Sequence, residues 1–212
     1  MSIASSLPEI LLASYENWKN TDFASKTEHF AELGKGQSPM AMVISCCDSR
    51  VQSTEIFNVE AGSFFLHRNI ANLVPVYQSD DGVGTASALE YAVKALKVPN
   101  IIIMGHSQCG GVQACHDLCE GGISAADSGF EFVGHWLDNL RPAYERVPQD
   151  ATDKVVALGH QGVLVSLENL MGYPFVRDAV AAGTLSLHGT WHDIASGTLY
   201  AYNPQSGAFE AQ

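Results

Sequence analysis

Apolar residues recur along this chain in two rhythms. Near the start, Leu7, Ile10, Leu11, Ser14 and Tyr15 fall on one face at helical spacing, and residues 23–33 make a second helical segment that ends at Gly34. Gly36-Gln37-Ser38-Pro39 then marks a loop. Three continuous apolar runs follow, at 40–45, 64–67 and 101–104. They are rich in Val, Ile and Phe and too short for core helices, so they predict buried strands. Between the last two, Ala88, Tyr91, Ala92, Ala95 and Leu96 keep helical spacing within 84–96. Strand, helix and strand in that order imply a right-handed crossover and parallel pairing. Beyond Gly110 the pattern predicts helices at 112–118, 130–144 and 154–170, then strands at 184–188 and 198–202. The sum is an α/β domain with a mainly parallel central sheet flanked by helices. One domain is expected over 1–212, with 1–35 as an N-terminal helical arm.

Composition narrows the classes. Hydrophobic residues make up 46% and charged residues 16%, a balance suited to a compact soluble fold with a sizeable core. The net charge of −12 and the lack of Lys/Arg clusters argue against nucleic acid and anionic membranes as partners. No apolar run approaches the ~18 residues of a membrane span. The first residues lack a basic leader, so a cytoplasmic location is expected. The five cysteines, Cys46, Cys47, Cys109, Cys115 and Cys119, are odd in number and irregular in spacing. In a reducing compartment such residues serve as metal ligands, nucleophiles or small buried hydrophobes rather than as a disulfide framework. Gly82-Val83-Gly84 follows a polar loop instead of a strand and has no third glycine, so it reads as the start of a helix and not as a dinucleotide loop.

Candidate chemistry gathers at two strand ends. Run 40–45 leads into Cys46-Cys47-Asp48-Ser49-Arg50, where an extended chain would send Cys46, Asp48 and Arg50 to one side and Cys47 to the other. Run 101–104 leads into Gly105-His106-Ser107-Gln108-Cys109-Gly110-Gly111. His-x-x-Cys lets an imidazole and a thiolate bind one metal, and the flanking glycines are expected to allow the sharp turn. Both motifs lie at the carboxyl end of a predicted parallel strand, where open α/β sheets place their ligands. Two thiolates with one imidazole favour zinc, and three protein ligands leave a fourth position for water. Cys115-His116-x-x-Cys119 looks like a second metal motif, but on one helix it lacks a fourth ligand; Cys47, Cys115 and Cys119 are expected to pack as small hydrophobes.

Cys46-x-Asp48-Ser49-Arg50 followed by His106-x-x-Cys109-Gly110-Gly111 resembles the signature of the β-class carbonic anhydrases. The similarity extends through Phe65-x-x-Arg68-Asn69-Ile70-Ala71-Asn72, Glu90-Tyr91-Ala92 and Tyr173-Pro174-Phe175-Val176-Arg177, and so covers nearly the whole chain. The resemblance implies zinc on Cys46, His106 and Cys109, and reversible hydration of carbon dioxide to bicarbonate and a proton by hydroxide generated on that zinc. It implies that Asp48 accepts a hydrogen bond from the zinc's water and that a two-pronged ion pair with Arg50 holds Asp48 off the metal. It further implies that Gln37 donates to a substrate oxygen, that Phe65 and Tyr91 wall the carbon dioxide pocket, and that the Gly110 amide helps place the substrate. A homodimer or larger homo-oligomer is implied, the N-terminal helices wrapping a partner subunit. Some bacterial relatives carry a Trp three residues before the first cysteine and a Tyr near the C-terminal strand, which with an Arg bind inhibitory bicarbonate. Val43 and His192 occupy those positions here and only Arg68 remains, so the chain resembles the plant-like subgroup without that site. The rival readings are hydrolysis of carbon disulfide or carbonyl sulfide on the same scaffold, and a non-catalytic zinc-binding protein.

Overall fold

The computed structural model describes residues 3–124 and 126–212, and the chain divides into two compact units at the Gln37–Ser38 junction. In the first unit, α1 (Glu9–Trp18) runs through a wider turn (Lys19–Phe23) towards α2 (Thr27–Leu33). Its order comes from aromatic contacts: Trp18 meets Phe23 and Phe30 at ring separations of 5.5 and 5.8 Å. No residue of α1 is buried, and Ile10, Leu11, Leu12 and Tyr15 stand exposed.

The second unit is built on a six-stranded sheet. Its strands are β1 (Ala41–Cys46), β2 (Phe64–Asn69), β3 (Asn100–His106), β4 (Ser186–His192), β5 (Leu199–Asn203) and β6 (Ala208–Ala211), in the order β2-β1-β3-β4-β5-β6. The first four are parallel and the last two antiparallel, as a mainly parallel sheet requires. Met42, Ile44, Ile101 and Ile103 line one face beneath α3 (Val83–Glu90), α6 (Lys154–Gly172) and α7 (Pro174–Ala181). Val43 and Met104, on the other face, are covered by Val51, Ile56, Phe57 and Ile194. The remaining helices α4 (Gly110–Glu120) and α5 (Glu131–Leu137) pack around a second apolar cluster that contains Cys46 and Cys109.

Local chemistry sets the boundaries. Asp153 caps α6 by accepting the Val155 and Val156 N–H groups at 3.0 and 2.9 Å. Gly159 lets α6 lie directly on β4, since a Cβ there would sit 2.2 Å from the Trp191 ring. Three features differ from the sequence-based expectation. Segment 130–144 is broken: after α5 the chain tightens at Asp138–Leu140 and restarts at Arg141–Tyr144, where Pro142 has no N–H with which to continue a long helix. Strand β4 runs on to His192 because Thr190, Trp191 and His192 are all buried. The polar tail after Tyr202 forms β6, which needs only one apolar contact face; Phe209 supplies it, stacked on His160 at 4.4 Å. Among the described residues no helix is long and apolar enough to cross a membrane.

Candidate metal centre

Parallel pairing of β1 with β3 brings two distant segments to one edge of the sheet. There the donor atoms of Cys46, His106 and Cys109 lie within 4.8 Å of one another, all three residues buried. The two sulfurs are 3.9 Å apart. Two Zn–S bonds of ~2.3 Å at a tetrahedral angle would set sulfurs about 3.8 Å apart, so the spacing suits zinc. The Nδ1 of His106 faces its neighbour's carbonyl, Ser107 O, at 2.9 Å, which leaves Nε2 buried and without a partner. A buried orphan nitrogen is costly unless a ligand takes it, and the bond at Nδ1 fixes the tautomer that presents Nε2 to a metal. Among the described residues this is the one His/Cys/Asp/Glu group close enough to hold an ion.

The two thiols are not equivalent. The Cys46 thiol is pulled down, chiefly by its contact with Cys109, against burial, and further by His106 and the nearby backbone. The Cys109 thiol is pushed up by the neighbouring Cys46 sulfur and by burial, against the N–H groups of Val112 and Gly111.

Beyond Cys46 the chain does not stay extended. It turns, the Val51 N–H bonding Asp48 O at 3.1 Å and the Arg50 N–H bonding Asp48 Oδ1 at 3.0 Å. This turn, not strand alternation, is what brings Asp48 and Arg50 together. Arg50 Nε donates to Asp48 Oδ1 at 2.9 Å and Nη2 to Oδ2 at 2.6 Å, while Nη2 also reaches Gln108 O at 3.0 Å. That fork holds the Asp48 carboxyl well below the usual carboxylate range, with help from His106. The sharp turn between His106 and Cys109 is made at Gln108, with φ of 54°, rather than at the flanking glycines. Gly105 instead permits close packing, since a Cβ there would meet Trp191 at 2.7 Å.

Of the other anticipated residues, Gly110 opens α4 directly after Cys109. Phe65 of β2 and Tyr91 lie ring against ring at 5.8 Å, Phe65 half-buried and Tyr91 exposed. Gln37 is exposed and belongs to the first unit. Cys115 is buried and Cys119 packs against the same apolar cluster, as expected, Cys119 also receiving an Arg141 N–H at 3.5 Å, whereas Cys47 is exposed. Arg68 is a participant that the ligand motifs alone do not reveal. Its guanidinium donates to the carbonyls of Cys46, Asp48 and Val51 at 2.8, 2.7 and 2.9 Å and to Gln52 Oε1 at 3.1 Å, tying down the loop that carries the site.

A mainly parallel α/β sheet with two thiolates and an imidazole at its carboxyl edge defines a zinc enzyme of the open-sheet class. The carbonic anhydrase family model matches residues 41–199, and the chain belongs to that family, whose members are carbonate dehydratases. It is 33% identical to beta carbonic anhydrase 3 of Arabidopsis thaliana over 195 residues, covering 90% of this chain and 74% of the relative. The solved β-carbonic anhydrase CcaA superposes with a TM-score of 0.89 at 30% identity, covering 96% of this chain and 98% of that one. One of two tetrameric β-carbonic anhydrases from the ascomycete Sordaria macrospora does so at 0.76 and 30%, covering 91% and 94%.

Proposed function

We propose that this chain catalyses the reversible hydration of carbon dioxide to bicarbonate and a proton, with zinc on Cys46, His106 and Cys109. The metal supplies a Lewis acid that lowers the pKa of water from ~15.7 towards ~7, so that a nucleophile exists near neutral pH. The chain's own groups do the rest. Asp48, kept ionised by Arg50, would accept a hydrogen bond from the attacking oxygen and so turn its lone pair to the substrate. The Phe65–Tyr91 ring pair favours an uncharged linear molecule over a hydrated anion. The Gly110 N–H, at the start of α4, has no acceptor within its own helix and is suited to a substrate oxygen. Gln37 enters as a second donor through the resemblance of its motif.

The observation that carries this reading is the Asp48–Arg50 fork, in the same turn that follows the Cys46 ligand. Exchange of ¹⁸O between carbon dioxide and water, followed by mass spectrometry, tests it. The zinc-loaded protein is expected to scramble the label far faster than buffer, and turnover of carbon disulfide without scrambling would refute it.

The reading extends to assembly, location and control. A second copy of the chain is the proposed partner: the apolar residues of α1 stand exposed in the single chain, and the Sordaria macrospora relatives are tetramers. All five cysteines are free thiols, in keeping with a reducing, cytoplasmic setting. Arg68 already serves four acceptors, and Val43 and His192 stand in place of the Trp and Tyr. We therefore place the chain in the plant-like subgroup, without inhibition by bicarbonate at a second site.

A further inference from the structure

Strands β3 and β4 are parallel and in register, with His106 opposite His192, so the next step of the ladder falls on Ser107. In a parallel ladder such a residue donates its N–H to one residue of the neighbouring strand. Its carbonyl then accepts the N–H two residues further along that strand. Ser107 makes the first bond in the ordinary way, its N–H reaching His192 O at 2.9 Å. The second would join the Ile194 N–H to Ser107 O. Here the Ile194 N–H goes instead to the Ser107 hydroxyl, at 3.0 Å, and Ser107 O accepts from His106 Nδ1 at 2.9 Å. The side chain has taken over the ladder bond, and the backbone carbonyl serves a metal ligand.

Both sides of this exchange are held in place. Ile194 follows Asp193 in the closed turn between β4 and β5. There the Asp193 N–H bonds Thr198 O at 2.9 Å, and Asp193 Oδ1 accepts the Ser196 N–H and hydroxyl at 2.7 and 2.8 Å. The Ile194 N–H is therefore a fixed donor in a partly buried place, and it is costly to leave without an acceptor. On the other side, Gln108 turns the chain away at φ 54°, and Arg50 Nη2 holds Gln108 O at 3.0 Å. The two residues between the His106 and Cys109 ligands thus have separate tasks. Gln108 ties the turn to Arg50, and Ser107, itself buried, ties it to the β4–β5 turn.

We propose that Ser107 is a positioning residue: its hydroxyl replaces its own carbonyl in the β3–β4 ladder and so frees that carbonyl to orient the His106 ring towards the metal. A carbonyl aimed along the ladder at Ile194 is not aimed at the ring of the residue before it. The hydroxyl removes the competition by satisfying the Ile194 N–H first. Metal-bound histidines depend on such a partner at the second ring nitrogen, which fixes both tautomer and ring orientation. Ser107 acts only through His106. The inference rests on the zinc site described above, but not on the identity of the substrate.

Ser107→Ala tests it. Without the hydroxyl, the Ile194 N–H is expected to draw in the backbone carbonyl at position 107. A crystal structure of the zinc-loaded variant should show that carbonyl turned from His106 Nδ1 to the Ile194 N–H. Zinc affinity, read by competition with a chromophoric chelator, should fall roughly 10- to 100-fold, the range that partners behind a metal ligand command. Ser107→Thr keeps a hydroxyl on the same carbon and should bind zinc as the parent does. If Ser107→Ala does not fold, Ser107→Cys repeats both measurements with a thiol, a weak acceptor, in place of the hydroxyl. Parent-like zinc affinity in a folded variant overturns the proposal, as does weaker binding with the carbonyl still on His106. Failure of both variants to fold overturns it too, since Ser107 would then be a folding element only. A parent that binds no zinc would refute the metal centre and this inference together. A parent that binds zinc but never hydrates carbon dioxide, with Ser107→Ala behaving as expected, would uphold the role of Ser107 and refute the proposed reaction instead.

Discussion

Arg50 grips Asp48 with two parallel N–H···O bonds and rests the same guanidinium on the carbonyl of Gln108, the residue before the Cys109 ligand. One side chain therefore links both ligand-bearing loops and fixes the carboxylate. Arg50→Ala should leave zinc bound and lower kcat/KM roughly 100-fold, the scale on which a misplaced catalytic group costs rate. Arg50→Lys should restore little, because an ammonium has no planar fork. Stopped-flow assays at matched zinc content check both, and full activity in Arg50→Lys would contradict this role.

Arg68 braces the same loop from β2. Its loss strands three carbonyls that now receive charged donors. Arg68→Ala is expected to destabilise the protein by about 2–3 kcal/mol, as for hydrogen bonds to charged groups removed from a shielded site. Urea unfolding measures this. In the parent protein, added bicarbonate should inhibit only as product, since four of the Arg68 N–H groups already have acceptors in the loop.

The buried nitrogen of His106 and the paired sulfurs make the metal part of the fold. Removing zinc with a strong chelator should lower Tm, and readdition should restore it. At a free-zinc level a thousand times Kd, the linkage amounts to about 4 kcal/mol. His106→Ala should abolish both the stabilisation and stoichiometric zinc binding.

Much of this was legible from residue order, for physical reasons. Strands β1 and β3 announce themselves because a parallel strand buried on both faces reads as an unbroken apolar run, and the ligands follow at once where such strands end. What escaped detection depends on long-range contacts. Strand β6 is stabilised by Phe209 against His160, and the C-terminal half of β4 by burial against α6, neither of which leaves a local pattern. The Asp48–Arg50 turn is bonded through side chains, so the run of polar residues reads equally well as extended chain. Ala71 gives no sign in its identity that it adopts a left-handed conformation, which a glycine at that position would signal.

His160 gives the fold a defined response to acid. Stacked on Phe209 and edge-on to Trp191, it is held down at about 4 by burial, against an ordinary value of 6.5. Between those values the unfolded chain binds more protons than the folded one, so stability falls as pH drops through that window. His160→Phe should flatten the slope of Tm against pH between 6.5 and 4. An unchanged slope would assign the acid response to other groups.

Stopped-flow hydration of carbon dioxide, with zinc measured on the same samples, bears most directly on the claim that Cys46, His106 and Cys109 form a working centre with Asp48. The parent should carry one zinc per chain and hydrate carbon dioxide orders of magnitude faster than buffer, while Asp48→Asn keeps its zinc and loses most of that rate. A fully zinc-loaded parent no faster than buffer would contradict the account.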